Sequence, residues 1–199
     1  MKLASCTRVA VGCLLGLGSL AGIVAAQATE GFTATTVNMD PAGEDLKIDL
    51  LRWSSDKDRQ AVVAVIMTPA EEGSLDTGIS ALIGLPTLGY VWPSSSGVGY
   101  SVKYAHRTET PDGGEHITLV TSRRLGTYGR ASWRPTGAAN TSIRPFTVIE
   151  LRLDSGGGGE GKLSAATDIV FDAENSTVAL KDYDADPVVL DSVKRVPSR

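Results

Sequence analysis

The run Gly156-Gly157-Gly158-Gly159-Glu160-Gly161-Lys162 has the spacing of a phosphate-binding loop, in which glycine amides and a lysine surround a nucleotide's phosphates. Such a loop needs serine or threonine after the lysine to hold magnesium, and this chain has Leu163 there. It also needs a helix whose N–H groups meet the phosphates. Here Leu163, Ala165, Thr167, Ile169 and Phe171 continue in strand alternation, so the run reads as a hairpin loop. Asp182, Asp184 and Asp186 alternate like the first ligands of a calcium loop. The sixth position should be glycine and the twelfth glutamate; they are Pro187 and Val193. The aspartates read as a charged turn between two strands.

His106 and His116 are the two histidines of the chain. They flank the turn signal Pro111-Asp112-Gly113-Gly114, so they face each other across a hairpin. A two-residue turn makes cross-strand partners sum to an odd number, which sends the two histidines to opposite faces and places His116 near Glu109. A three-residue Asp112-Gly113-Gly114 loop would put both on one face. On the first geometry they share no metal. His106 continues a face with Tyr100, Val102 and Tyr104, so Tyr100, Tyr104 and His106 form a candidate pocket. Catalytic motifs are lacking: there is no Gly-x-Ser-x-Gly elbow and no His-Glu-x-x-His. No catalytic residue, metal site or cofactor is assigned.

The strongest compositional signal is charge asymmetry. Residues Ile117 to Ile149 contain no acid and carry Arg123, Arg124, Arg130, Arg134 and Arg144. Residues Glu150 to Arg199 are rich in aspartate and glutamate. Arg123, Arg124, Tyr128, Arg130, Trp133 and Arg134 combine guanidinium and aromatic groups on a stretch broken by glycine and proline. That is the chemistry of a surface for anions or acidic ligands. The competing reading pairs these arginines with the chain's own surplus acids.

Strands and two helices must position these groups. Phe32 to Met39 and Leu46 to Trp53 read as the first two strands, with Leu46, Ile48 and Leu50 on one face. Ser55 with Asp58 three residues on is a helix-start signal, leading into Arg59 to Met67. Leu75, Ile79, Leu82 and Ile83 share a helical face in Ser74 to Ile83, with Gly84 as a C-terminal cap. From Leu88 the chain reads as antiparallel sheet. Its strands include Val98 to Ala105, Glu115 to Arg123, Phe146 to Leu153, Lys162 to Phe171, Thr177 to Lys181 and Val188 to Val196. The expected fold is mainly β in an α+β arrangement. It is a curved antiparallel sheet, open barrel or sandwich, with two short helices inserted after the second strand.

Residues 1–28 have the layout of a cleavable export signal. Lys2 and Arg8 form a basic start, Leu14, Leu15, Leu17, Leu20, Ile23 and Val24 an apolar middle, and Ala26-Gln27-Ala28 a cleavage site. Cys13 lies too close to the start for a lipoprotein signal. Cleavage leaves one β-rich domain, residues 29–199, in the periplasm or outside the cell, without a stable membrane anchor. It also removes Cys6 and Cys13, so thiol, disulfide and cysteine-metal chemistry are excluded from the mature domain. Loss of Lys2 and Arg8 makes that domain two charges more negative than the formal −4 of the full chain, which argues against a general nucleic-acid binder.

Leu51-Arg52-Trp53-Ser54, Asp112-Gly113-Gly114-Glu115-His116-Ile117 and Phe146-Thr147-Val148-Ile149-Glu150-Leu151-Arg152-Leu153, leading to Gly159-Glu160-Gly161-Lys162, together resemble an uncharacterised family of small exported bacterial proteins. The resemblance implies one exported domain and carries no activity or site residues. Size and export also suit lipocalin-like carriers of the bacterial periplasm, by analogy of shape. The expected function is a non-catalytic exported binding or structural domain contacting an anionic partner. Its rivals are a lipocalin-like carrier of an apolar ligand and a secreted hydrolase using His106 with a carboxylate.

Overall fold

Apolar residues at every second position make a strand wherever one face can be buried, and that pattern recurs along most of this chain. The computed structural model describes residues 30–40, 42–67, 75–129, 133–137, 146–164, 169–172, 177–180 and 187–196. Residues 1–28, read from sequence as an export signal, lie outside the described residues, as do Arg130, Arg144 and Asp182 to Asp186. The strands are β1 (Glu30–Thr36), β2 (Asp45–Leu50), β3 (Gly89–Pro93), β4 (Tyr100–Glu109), β5 (Glu115–Thr121), β6 (Val148–Leu153), β7 (Gly158–Ser164), β8 (Ile169–Asp172), β9 (Thr177–Leu180) and β10 (Val188–Val196). Helices α1 (Asp56–Met67) and α2 (Leu75–Gly84) lie between β2 and β3.

Among the described residues, β1 to β7 pair successively, each antiparallel to the next, and β10 closes the circuit between β7 and β1. The fold is therefore mainly β with two short inserted helices, and its sheet is a closed eight-stranded barrel. Closure satisfies the backbone groups that an open sheet would leave on its edges. A separate β8–β9 hairpin is inserted before β10. The stretch from Lys162 to Phe171, read from sequence as one strand, contributes to both β7 and β8.

The interior is lined with period two by Phe32 and Ala34 of β1, Leu46, Ile48 and Leu50 of β2, and Ile149, Leu151 and Leu153 of β6, all buried. Gly159 and Gly161 of β7 also belong to this packing. A Cβ on Gly159 would stand 1.9 Å from the Arg152 carbonyl oxygen, and one on Gly161 2.7 Å from that of Glu150. The glycine run thus lets β7 approach β6. In the turn before it, Asp154 Oδ1 accepts from the N–H groups of Gly156 (2.8 Å) and Gly158 (3.1 Å). A carboxylate occupies the amides that a phosphate loop would offer to its ligand.

The helices cover the outside of the wall. Val62 and Ile66 of α1 and Leu82 of α2 form a second buried cluster with Tyr104, Val120, Phe146, Val148 and Val178. The expected helix start is present: Ser55 N–H donates to Asp58 Oδ2 (2.9 Å) and Asp58 N–H to Ser55 Oγ (3.3 Å). Arg52 adds two bonds to Asp58, of 2.6 and 3.3 Å. Hydrogen bonding from Arg52, more than the opposing burial, holds the Asp58 carboxyl well below the usual carboxylate range. At the other end of this layer, Lys103 is buried. Its Nζ donates to the carbonyls of Ile83 (3.0 Å) and Leu85 (2.7 Å) and to Thr87 Oγ1 (3.1 Å). It serves the unpaired carbonyls at the end of α2 beyond what Gly84 supplies, and burial pushes its pKa down.

Candidate functional site

A β-bulge decides which sequence-derived site survives. Register shifts between Val102 and Tyr104, so one residue is added and the phase of the strand inverts. Tyr100 and Val102 point inward to the barrel core, whereas Tyr104 points outward to the helical layer. The expectation of one face shared by Tyr100, Tyr104 and His106 is therefore corrected. Tyr100 OH accepts from the N–H groups of Gly126 (3.1 Å) and Tyr128 (2.9 Å). Tyr104 OH accepts from Val178 N–H at 3.4 Å. His106 Nδ1 lies 3.2 Å from Arg59 Nη1 and accepts from it. The same Arg59 pairs with Asp56.

The two histidines also need correction. Thr110 N–H donates to Gly114 O and Thr110 O accepts from Gly113 N–H (2.9 Å each), closing a three-residue Pro111-Asp112-Gly113 turn with Gly113 at φ +81°. Partners then sum to an even number: His106 pairs with Thr118, and His116 with Thr108 instead of lying beside Glu109. Both histidines face outward on the same side of the sheet. His116 Nε2 is buried without a hydrogen-bond partner among the described residues, 3.8 Å from the buried Glu150 carboxylate. Among the described residues, no group of three or more His, Cys, Asp or Glu could hold a metal ion.

The described part of the arginine segment lies at one end of the barrel, which we term the loop end. Described residues of three connections meet there: 37–40 with 42–44, 94–99, and 122–129 with 133–137 and 146–147. They are tied to each other. Asn38 O accepts from Thr136 N–H (2.8 Å), and Met39 bridges to Pro135. The Glu44 carboxylate accepts from Ser94 Oγ (2.9 Å) and from the Ser95 amide. Leu125 N–H donates to Thr147 Oγ1 (3.0 Å). Met39, Leu125 and Trp133 are buried in the barrel core and plug this end. Trp133, expected on the contact surface beside the arginines, is 3% exposed and is instead a plug residue.

Arg123 and Arg124 stand between buried Thr121 and Ser122 on one side and buried Leu125 on the other. Their backbones are fixed: Arg123 O accepts from Thr121 Oγ1 (2.7 Å), and Arg124 O from Thr127 Oγ1 (2.6 Å) and N–H (3.3 Å). Both side chains are half-buried, and neither guanidinium makes an ion pair or hydrogen bond with any described residue. Tyr128 is exposed and packs on Tyr100 with ring centroids 5.1 Å apart. Arg134 is half-buried and has a partner. Arg123, Arg124 and Tyr128 thus lie on one loop stretch, 122–129, while Trp133 is drawn into the core.

Sequence reading missed the apolar part of this end. Val37, Val98 and Tyr128 are exposed on the three connections, and Trp92 is 39% exposed on the outer face of β3. The Trp92 indole lies against Gly99, where a Cβ would come within 2.8 Å of it. The available signal was Val98, isolated among Ser94, Ser95, Ser96, Gly97 and Gly99 in a segment too polar to bury it.

The opposite end, the base, carries inward-facing charges that also escaped sequence reading. Arg195 contacts both Glu30 (Nη1 to Oε1, 2.8 Å) and Glu115. Arg107 lies 3.7 Å from Glu30 and 3.9 Å from Glu115. Trp53 Nε1 donates to Glu30 Oε2 (3.0 Å), and the Arg107 guanidinium lies 4.9 Å from the Trp53 ring centre. Compared with protein-family models, curated proteins and solved structures, the chain matches none.

Proposed function

We propose that the mature chain is an exported, non-catalytic binding domain that holds an anionic ligand at the loop end of its barrel. The observation that carries this reading is the pair Arg123 and Arg124. Their backbones are fixed by hydrogen bonds, while their guanidinium groups have no acid partner among the described residues. Tyr128, four residues after Arg124 on the same loop stretch, adds an exposed aromatic face. A loop whose backbone is already fixed needs no ordering on binding, and guanidinium groups without an ion pair have none to break. Export rests on the signal-like residues 1–28, and binding without catalysis on a sequence that carries neither a Gly-x-Ser-x-Gly elbow nor a His-Glu-x-x-His motif.

The test is retention on a sulfated-dextran matrix as salt is raised. The protein should be retained and elute with salt, and Arg123→Gln/Arg124→Gln should pass through at a salt concentration that holds the parent. Equal retention of the two proteins would overturn the reading. The closed barrel shape also suits a carrier of an apolar ligand. That reading requires Phe32, Leu46, Ile149 and their neighbours to yield interior space. Native mass spectrometry of protein from its host would then show a bound apolar compound.

A further inference from the structure

The loop end combines its arginines with something a soluble anion would not use. Val37 is 48%, Trp92 39%, Val98 51% and Tyr128 45% exposed. Of the large hydrophobic residues exposed among the described residues, these four belong to the loop-end connections or to β3 just below them; Leu51 and Ile83 are the others. Val37, Val98 and Tyr128 come from three different connections. Hydrogen bonds and packing bind those connections into one surface: Glu44 to Ser94 and Ser95, Asn38 to Thr136, and Gly129 against Ser95. Separate apolar tips around a pair of cations are the makings of an interfacial surface. Valine, tyrosine and tryptophan enter the headgroup boundary while arginine meets lipid phosphate.

We propose that the anion held at this end is the phosphate of an anionic phospholipid bilayer, on which the barrel docks end-on and reversibly. This rests on the anion-binding reading above. Charge favours one orientation. The mature chain is two charges more negative than the −4 of the full chain, so an anionic membrane repels it except along the acid-free stretch from Ile117 to Ile149 that bears Arg123 and Arg124. Of the acids in the neighbouring described loops, Glu44 is buried against Ser94 and Ser95, while Asp40 and Asp45 are exposed, Asp45 accepting from Thr35 Oγ1 (2.9 Å). Asp40 and Asp45 are the charges the arginines must outweigh. No helix among the described residues is long and apolar enough to cross a membrane. Docking is peripheral, through two cations and a few side chains, and is reversed by salt.

The experiment is flotation of the protein with vesicles of phosphatidylglycerol and phosphatidylcholine, beside vesicles of phosphatidylcholine alone and a soluble sulfated dextran. The parent should float with the anionic vesicles only. Arg123→Gln/Arg124→Gln should lower partitioning about 30-fold, from about fivefold for each arginine lost near an anionic surface. Val37→Ser/Val98→Ser keeps every charge and should lower partitioning several-fold while leaving dextran binding unchanged. Anionic-vesicle binding that is unaffected by the valine changes overturns the docking proposal. Dextran binding without vesicle binding overturns it too, yet leaves the anion-binding reading standing. Binding to neither overturns both. Matching thermal melts of parent and variants separate lost binding from lost folding.

Discussion

The two ends of this barrel use arginine in opposite ways. At the base, Arg107 and Arg195 alternate with Glu30 and Glu115, and Trp53 donates to the same Glu30 carboxylate. Each charge finds its counterpart within the molecule, so the group closes the barrel and offers little net field. At the loop end the closing is done by apolar side chains, Met39, Leu125 and Trp133. Arg123 and Arg124 are therefore not needed to seal anything, and they stand half-buried without acid partners among the described residues. An arginine's availability depends on what else completes the end of the barrel, not on how many arginines the sequence places there.

The comparison breaks most visibly at the plugs. Trp133→Ala should cost about 3–5 kcal/mol in chemical denaturation, as expected for emptying a buried aromatic site. Tyr128→Ala, five residues earlier and exposed, should cost under about 1 kcal/mol. Similar costs would merge the plug and the outer face. At the base, Arg195→Leu leaves Glu30 and Glu115 facing each other with only the more distant Arg107 between them. It should lower stability by about 2 kcal/mol, a value reduced from that of a fully buried pair because these side chains are partly exposed.

Acid should act on the same half of the molecule. Arg52 and Ser55 hold the Asp58 carboxyl well below its unfolded value. Its contribution, about 1 kcal/mol, is therefore intact above the ordinary carboxylate range and is lost as pH falls below about 4. Asp58→Asn should flatten that part of the stability–pH curve, measured by urea titration at successive pH values. An unchanged curve would remove Asp58 from the account. The smallest effect is expected at the loop end: Arg123→Gln/Arg124→Gln should leave stability within about 0.5 kcal/mol of the parent.

Much of the framework was legible in the sequence because it is local. Ser55 and Asp58 form the expected helix start, Leu46, Ile48 and Leu50 share the inner face, and Gly156 to Gly161 lie in a hairpin. The errors arose where one residue of register matters. The bulge after Val102 turns Tyr104 and His106 away from Tyr100, and no residue type marks a bulge there. The three-residue turn at Pro111-Asp112-Gly113 reverses the parity of His106 and His116. Both choices follow from how the strands fit around a closed wall, and closure itself joins β1 to β10, at opposite ends of the domain. Of the candidate site, the Arg123–Arg124–Tyr128 part was visible as charge asymmetry. Trp133 was misplaced because composition does not distinguish a loop aromatic that plugs a barrel from one that faces solvent.

The most direct measurement removes the same charge from each end. Arg123→Gln/Arg124→Gln and Arg107→Gln/Arg195→Gln both subtract two cations from the chain. Their affinities for sulfated dextran should be compared at one ionic strength and at a temperature where both variants are folded. The account predicts that the loop-end variant loses most of its binding and the base variant keeps the parent's affinity. Equal losses would show that net charge alone governs binding and would contradict the account, as would a loss confined to the base variant.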